Sequence, residues 1–136
     1  MSALFEQALE QFPGKIKIVF KNYPLNKHKF ARTAALAALA AAEQGRFWIF
    51  HDQLFQHFNG SKQLTNADID NIATKSELDL VRFRKDMFSS AILQQLNRDL
   101  NIAEEIGVDS TPTIFVNGRL LKRRPLNELI EEELEK

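Results

Sequence analysis

The stretch 107–119 constrains the fold of this chain more than any other. It reads Gly-Val-Asp-Ser-Thr-Pro-Thr-Ile-Phe-Val-Asn-Gly-Arg. A glycine suits the left-handed residue that ends a helix. The β-branched and aromatic run 113–116 then predicts a short buried strand, Asn117-Gly118 predicts a two-residue hairpin turn, and 119–122 would form the returning strand. Because proline cannot donate to a sheet ladder, Pro112 must lie at the entrance of the strand, where the bond before it can be cis.

The rest of the chain is predicted to form one more strand and several helices. Residues 15–20 alternate between lysine and apolar side chains, which predicts a strand with Ile16, Ile18 and Phe20 facing a core. Apolar residues at helical spacing predict helices at 4–12, 27–42, 47–58, 69–72, 80–83, 90–107 and 125–134. This order of elements implies an α/β layer with a helical insertion.

Local signals mark where some of these helices begin. Thr65 with Asp68 has the spacing of a capping box. Before the helix at 80–83, either Ser76 with Asp79 forms a second box or Asp79 alone caps the helix. Pro125 fits the first position of the last helix.

Composition excludes several classes of function. The 18 basic and 18 acidic residues leave no net charge, so we expect no nucleic-acid partner. The longest apolar run, 34–42, is far shorter than the roughly 20 residues of a membrane-spanning helix. The chain has no cysteine, which removes disulfides, thiolate metal sites and thiol nucleophiles. The 3 histidines form no His-x-x-x-His pair, so neither a metal site nor a cofactor is predicted.

Taken as a whole, the string at 107–119 resembles the cis-proline loop and hairpin of thioredoxin-fold proteins, and among them the DsbA-like thiol-disulfide oxidoreductases. Residues 13–25 look like the second strand of those proteins and its exit, and 41–55 look like the start of their inserted helical domain. The resemblance implies an α/β, thioredoxin-like (DsbA-like) fold in a single domain, 1–136. It assigns the thioredoxin-fold part to 1–27 and 108–136, and the helical insertion to 28–107.

The resemblance does not extend to the first central strand of the family or to its Cys-x-x-Cys turn, which would fall just before Met1. Family redox chemistry needs a thiolate at a helix N-terminus and proceeds through a mixed disulfide. The chain is therefore expected to be redox-inactive as given, with no catalytic residue. The alternative is a non-enzymatic peptide-binding or structural module that uses the Thr111-Pro112 loop.

The resemblance also implies the substrate-binding residues. Ser110, Thr111 and Pro112 would bind an extended protein or peptide segment, and the backbone of Thr111 would face the redox site and pair with that segment by strand addition. His28 would lie near the same face. From the residues alone, a single histidine at a helix start is more often an ordinary surface or hydrogen-bonding residue.

The missing first strand would leave two strand edges open, at 15–20 and 113–116. Each buried backbone group without a partner costs about 1–3 kcal/mol. We therefore expect one of two outcomes. Either these strands come together, or another chain fills the gap, which implies a homo-oligomer or strand exchange.

Three further features leave alternatives open. The aromatic residues of 47–58 could form a peptide-binding wall, although helical spacing favours a core. The basic run Lys122-Arg123-Arg124 is interpreted as a solvated loop by default, and the less favoured alternative is a contact with a partner. The family is mostly exported to the bacterial cell envelope, whereas the chain shows no export signal and would be cytoplasmic if complete as given.

Overall fold

The computed structural model describes residues 1–60 and 63–136, with the side chains of residues 59 and 60 left out. The chain divides into two compact units. We call residues 1–20 and 106–136 the hairpin unit, and residues 21–105 the helical unit. The predicted boundaries of the thioredoxin-fold part and the helical insertion stay a prediction.

Nine regular elements lie in the described ranges. The hairpin unit contains α1 (Ala3–Gln11), β1 (Phe115–Val116), β2 (Arg119–Leu120) and α7 (Leu126–Leu134). The helical unit contains α2 (Ala31–Ala42), α3 (Phe47–Gly60), α4 (Asn66–Lys75), α5 (Leu80–Met87) and α6 (Ser90–Glu105). Of the helices in these ranges, none is both long enough and apolar enough to cross a membrane.

Side-chain caps fix where α4 and α5 begin. The Thr65 hydroxyl accepts a hydrogen bond from the Asp68 backbone N–H at 3.1 Å, and the Asp68 carboxylate accepts one from the Thr65 N–H at 2.8 Å. This is the predicted capping box, which satisfies two N–H groups at the helix start. Asp79 caps α5 by accepting from the Arg82 N–H at 3.0 Å. Ser76 instead ends α4.

The helical unit is built around the alanine-rich helix α2. The small side chains of Ala37, Ala40 and Ala41 are fully buried, so neighbouring helices can approach its backbone closely. Phe50 of α3 and Phe83 of α5 are also fully buried, with ring centroids 5.5 Å apart. Not every aromatic residue of α3 joins this core: Phe55 is 61% exposed and Phe58 is 38% exposed.

The predicted hairpin forms in the hairpin unit. Asn117 and Gly118 have φ of 47° and 81°, the left-handed backbone that a two-residue turn of this type requires. Phe115 pairs with Leu120 and Val116 with Arg119. Behind the hairpin, a small apolar core contains Ala8 and Phe12 from the α1 side and Leu126 and Ile130 from α7.

The strand predicted at 15–20 does not form. Ile16 and Ile18 are half-buried as expected, but Phe20 is 42% exposed, so its predicted position on the core is wrong. A strand needs a hydrogen-bonded neighbour, and the backbone of 16–19 makes no hydrogen bond with any described residue. In the same described part of the chain, β1 pairs with β2 alone, so the two open edges have not come together.

Two helix starts differ from the prediction. The second helix begins at Ala31 and not at residue 27, because 26–30 form hydrogen-bonded turns. Pro125 has an extended backbone, with ψ of 141°, and so precedes the first residue of α7.

Candidate functional site

The loop before β1 brings together three of the four predicted site residues. Ser110, Thr111 and Pro112 are all exposed, and the Thr111–Pro112 peptide bond is cis. The Thr113 hydroxyl donates to the Ser110 carbonyl at 2.7 Å, and the Ser110 hydroxyl donates to Asp109 at 3.0 Å. The first of these hydrogen bonds spans Thr111 and Pro112, and the second joins the two residues before them.

The backbone of Thr111 has no hydrogen-bonding partner within the described residues. Neither its N–H nor its C=O makes a hydrogen bond with any residue in 1–60 or 63–136. Backbone N–H and C=O groups are strong donors and acceptors, and an extended segment can satisfy both from one side. Pro112, which follows, has no N–H of its own. Thr111 is therefore suited to pair with one residue of an extended chain.

An open pocket of about 260 Å³ lies directly beside this loop, within the hairpin unit. Its lining includes Pro112 and Thr113 from the loop and the basic residues Arg123 and Arg124. The remaining lining is apolar and consists of Ile114, Leu120 and Leu121. The lining thus combines apolar residues with two basic residues. Sequence reasoning noted the basic run 122–124 but did not connect it with Pro112, because the two lie on different sides of the hairpin turn.

Acidic residues of α7 neutralise part of this positive charge. The Arg124 guanidinium contacts both carboxylate oxygens of Glu132, at 2.5 and 3.3 Å. Arg119 binds Glu132 at 3.1 Å and Glu133 at 2.8 Å. Hydrogen bonds from Lys136 and then from Arg119 lower the pKa of Glu133 to about 2. Arg123, in contrast, makes no ion pair with any residue in the described ranges.

His28, the fourth predicted site residue, lies in the helical unit. Its backbone N–H donates to Leu25 and its C=O accepts from Ala31, both at 3.0 Å, in the turn that leads into α2. The side chain is exposed. Its part in substrate binding stays a prediction. Within the described residues, no group of three or more His, Asp or Glu side chains could hold a metal ion.

Comparison with known proteins identifies the family. The family model described as thioredoxin matches residues 1–136. The chain belongs to the thioredoxin family. The probable disulfide bond formation protein D of Bacillus anthracis is 29% identical over 130 residues, covering 90% of this chain and 60% of that protein. This family membership confirms the predicted relation to DsbA-like proteins.

One further relative and one solved structure extend the comparison. The Na(+)/H(+) antiporter NhaA 3 of Salinispora tropica is 40% identical over 105 residues, which are 76% of this chain but only 16% of the antiporter. A thioredoxin-like oxidoreductase of Silicibacter pomeroyi has the same fold, with a TM-score of 0.71, 21% identity, and coverage of 96% of this chain and 73% of that one. The predicted thioredoxin-like fold with a helical insertion is thus confirmed. Without cysteine, this member is redox-inactive as given.

Proposed function

We propose that this chain binds extended polypeptide segments by pairing their backbone with that of Thr111, as the substrate-recognition part of DsbA-like chemistry. The observation that carries the proposal is that Thr111 is exposed and that its N–H and C=O make no hydrogen bond to the described residues, next to the cis bond to Pro112. A strand added there gains two backbone hydrogen bonds at one residue. The affinity for such a strand depends more on its extended backbone than on its amino-acid sequence.

These residues support the binding of a polypeptide without a thiol–disulfide reaction. Relatives carry names that refer to disulfide bond formation and oxidoreductase activity, which makes polypeptides the proposed ligand. Thiol–disulfide exchange itself needs a cysteine thiolate, and this chain contains no cysteine. Ion transport is not part of the proposal, since the matching region is 16% of the antiporter relative.

Peptide titration tests the proposal. Fluorescence anisotropy would follow a labelled, unstructured peptide binding to the wild type and to Thr111→Arg, whose side chain obstructs the site. Loss of two backbone hydrogen bonds corresponds to an affinity at least about tenfold weaker. Thr74→Arg, the same change at an exposed position of α4, should bind like the wild type. A peptide series with single N-methyl groups should lose affinity at one position, because methylation removes the paired N–H.

Two results would contradict peptide binding at the Thr111 loop. Equal affinity of Thr111→Arg and the wild type would show that peptides bind elsewhere. Absence of binding by any peptide would favour the alternative of a purely structural module.

We also propose that the open edge at 16–19 supports association between copies of this chain or strand exchange. The backbone of these residues makes no hydrogen bond with the described part of the chain, and Val19 is 61% exposed. Exposed apolar edges of this kind pair with other chains. Light scattering at high concentration should show a particle larger than one chain, and Val19→Lys should reduce its size. A strictly monomeric wild type would rule out this proposal.

A further inference from the structure

The pocket beside Thr111 has an unbalanced charge. Its lining residues include Arg123 and Arg124 and no acidic residue. Glu132 neutralises Arg124 from outside the lining, through two hydrogen bonds. No such partner exists among the described residues for Arg123, so its charge is available to a ligand. The exposed Lys122 next to it adds a second cation without an ion pair in those ranges.

The backbone at Arg123 is also unusual. Its φ is 38°, in the left-handed region where glycine is favoured and where a side chain with a Cβ is disfavoured. Glycine would adopt this backbone more easily, yet the position carries an arginine, and that residue lines the pocket. An outlier of this kind is a reason to look for a function.

We propose that this pocket binds a carboxylate carried by the peptide that pairs with Thr111, so that the site prefers acidic peptides. The inference rests on the proposed function. An extended peptide advances about 3.3 Å per residue, so a side chain one or two residues from the paired position reaches a pocket that begins at Pro112 and Thr113. The planar guanidinium of arginine matches a carboxylate in shape as well as in charge. The apolar lining residues Ile114, Leu120 and Leu121 accommodate the methylene groups that carry the carboxylate.

A double-mutant cycle between peptide and protein tests this inference. Two peptides that differ only by Glu or Gln would be titrated, each with a blocked C-terminus, against the wild type and Arg123→Gly. The glycine variant removes the cation at a position where glycine suits the backbone, so we expect it to stay folded. We expect the wild type to bind the Glu peptide about fivefold more tightly, and Arg123→Gly to bind both equally. Arg123→Lys, which keeps the charge, should retain most of the preference.

Two control measurements locate the interaction. Arg98→Gln, a comparable loss of charge at an exposed position of α6, should keep the full preference. A third peptide, with Gln and a free C-terminal carboxylate, distinguishes the source of the carboxylate. If its affinity depends on Arg123 and that of the Glu peptide does not, the pocket takes a chain terminus and not an acidic side chain.

The results separate this inference from the proposed function. Equal affinity of the wild type for all three peptides, with binding still lost in Thr111→Arg, would overturn the acidic preference and leave peptide binding intact. A preference that survives in Arg123→Gly would show that the pocket is not its origin, and would overturn the inference in the same way. If no peptide binds, both fail.

Discussion

The carboxylate of Asp99 accepts hydrogen bonds from both the backbone N–H and the side-chain amide of Asn22, at 3.0 and 3.3 Å. Asp99 is 2% exposed and Asn22 is 5% exposed. The Gln95 amide donates to the other carboxylate oxygen at 3.1 Å, and the Lys21 ammonium lies 3.6 Å away. A buried carboxylate is tolerated when its oxygens are satisfied in this way. The contact fixes residues 21–22 against α6 inside the helical unit.

Asp99→Ala should therefore destabilise the chain strongly, because it leaves the N–H of Asn22 buried without its acceptor. We expect a loss of about 2–4 kcal/mol in the free energy of unfolding, measured in urea. Asp70→Ala provides the control: it removes a half-exposed carboxylate that pairs with Arg84 at 2.7 Å, and should cost far less. Similar losses in both variants would contradict this account of Asp99.

Two phenylalanines of the helical unit should respond very differently to truncation. Phe83 is fully buried against Phe50, whereas Phe88 is 80% exposed. Phe83→Ala should cost about 3–5 kcal/mol of unfolding free energy, because it removes apolar contacts and leaves a cavity. Phe88→Ala, the same change, should have little effect. Thermal or urea unfolding of the pair checks this, and a large effect at Phe88 would mean that its side chain is covered in solution.

Acid should weaken the ion pairs between the hairpin and α7. Hydrogen bonds from Lys136 and Arg119 lower the pKa of Glu133 to about 2 from an ordinary value of 4.5. Because the folded pKa is the lower one, the ionised carboxylate stabilises the fold above about pH 4.5, and this stabilisation disappears as the pH falls toward 2.

Glu133→Gln should thus lower the urea midpoint at neutral pH, with a difference from the wild type that shrinks toward zero near pH 2. Glu10→Gln removes an exposed carboxylate that has no ion pair in the described residues. It should change the urea midpoint little at either pH. A Glu133→Gln effect that is independent of pH would show that these ion pairs do not stabilise the fold.

The left-handed backbone of Arg123 predicts a substitution that stabilises the protein. Arg123→Gly removes the steric penalty of a Cβ at φ of 38° and should raise the unfolding free energy by roughly 1 kcal/mol. Arg98→Gly in the middle of α6 should have the opposite sign, because glycine costs about 1 kcal/mol in a helix interior. Denaturant unfolding of the two variants compares them directly, and destabilisation by Arg123→Gly would contradict the left-handed backbone.

Local signals in the sequence predicted much of the fold. The Asn117-Gly118 turn, the Thr65 capping box and the Asp79 cap each depend on residues within a few positions of one another, so their geometry follows from the residues themselves. The prediction of a strand at 15–20 was wrong for the opposite reason. Its alternation is a correct local signal, but a strand forms only when a neighbour supplies the ladder.

The contacts of the candidate site needed the structure. Arg123 and Pro112 meet at one pocket only because the hairpin folds back, and nothing near either residue indicates the other. Asp99 had a weak signal, since it shares one face of α6 with the buried side chains of Ile92, Leu96 and Ala103. An acidic residue on the apolar face of a helix predicts a buried hydrogen-bond partner. The pattern does not show that this partner is Asn22.

Hydrogen exchange at the Thr111 amide tests the central claim most directly. By NMR, this N–H should exchange rapidly in the free chain, because it is exposed and makes no hydrogen bond with the described residues. Saturation with an unstructured peptide should slow its exchange, while the exposed amide of Asn117 at the hairpin turn stays unchanged. Slower exchange at Thr111 would establish backbone pairing at the loop before Pro112. An unchanged Thr111 amide in a chain shown to have bound the peptide would contradict the account.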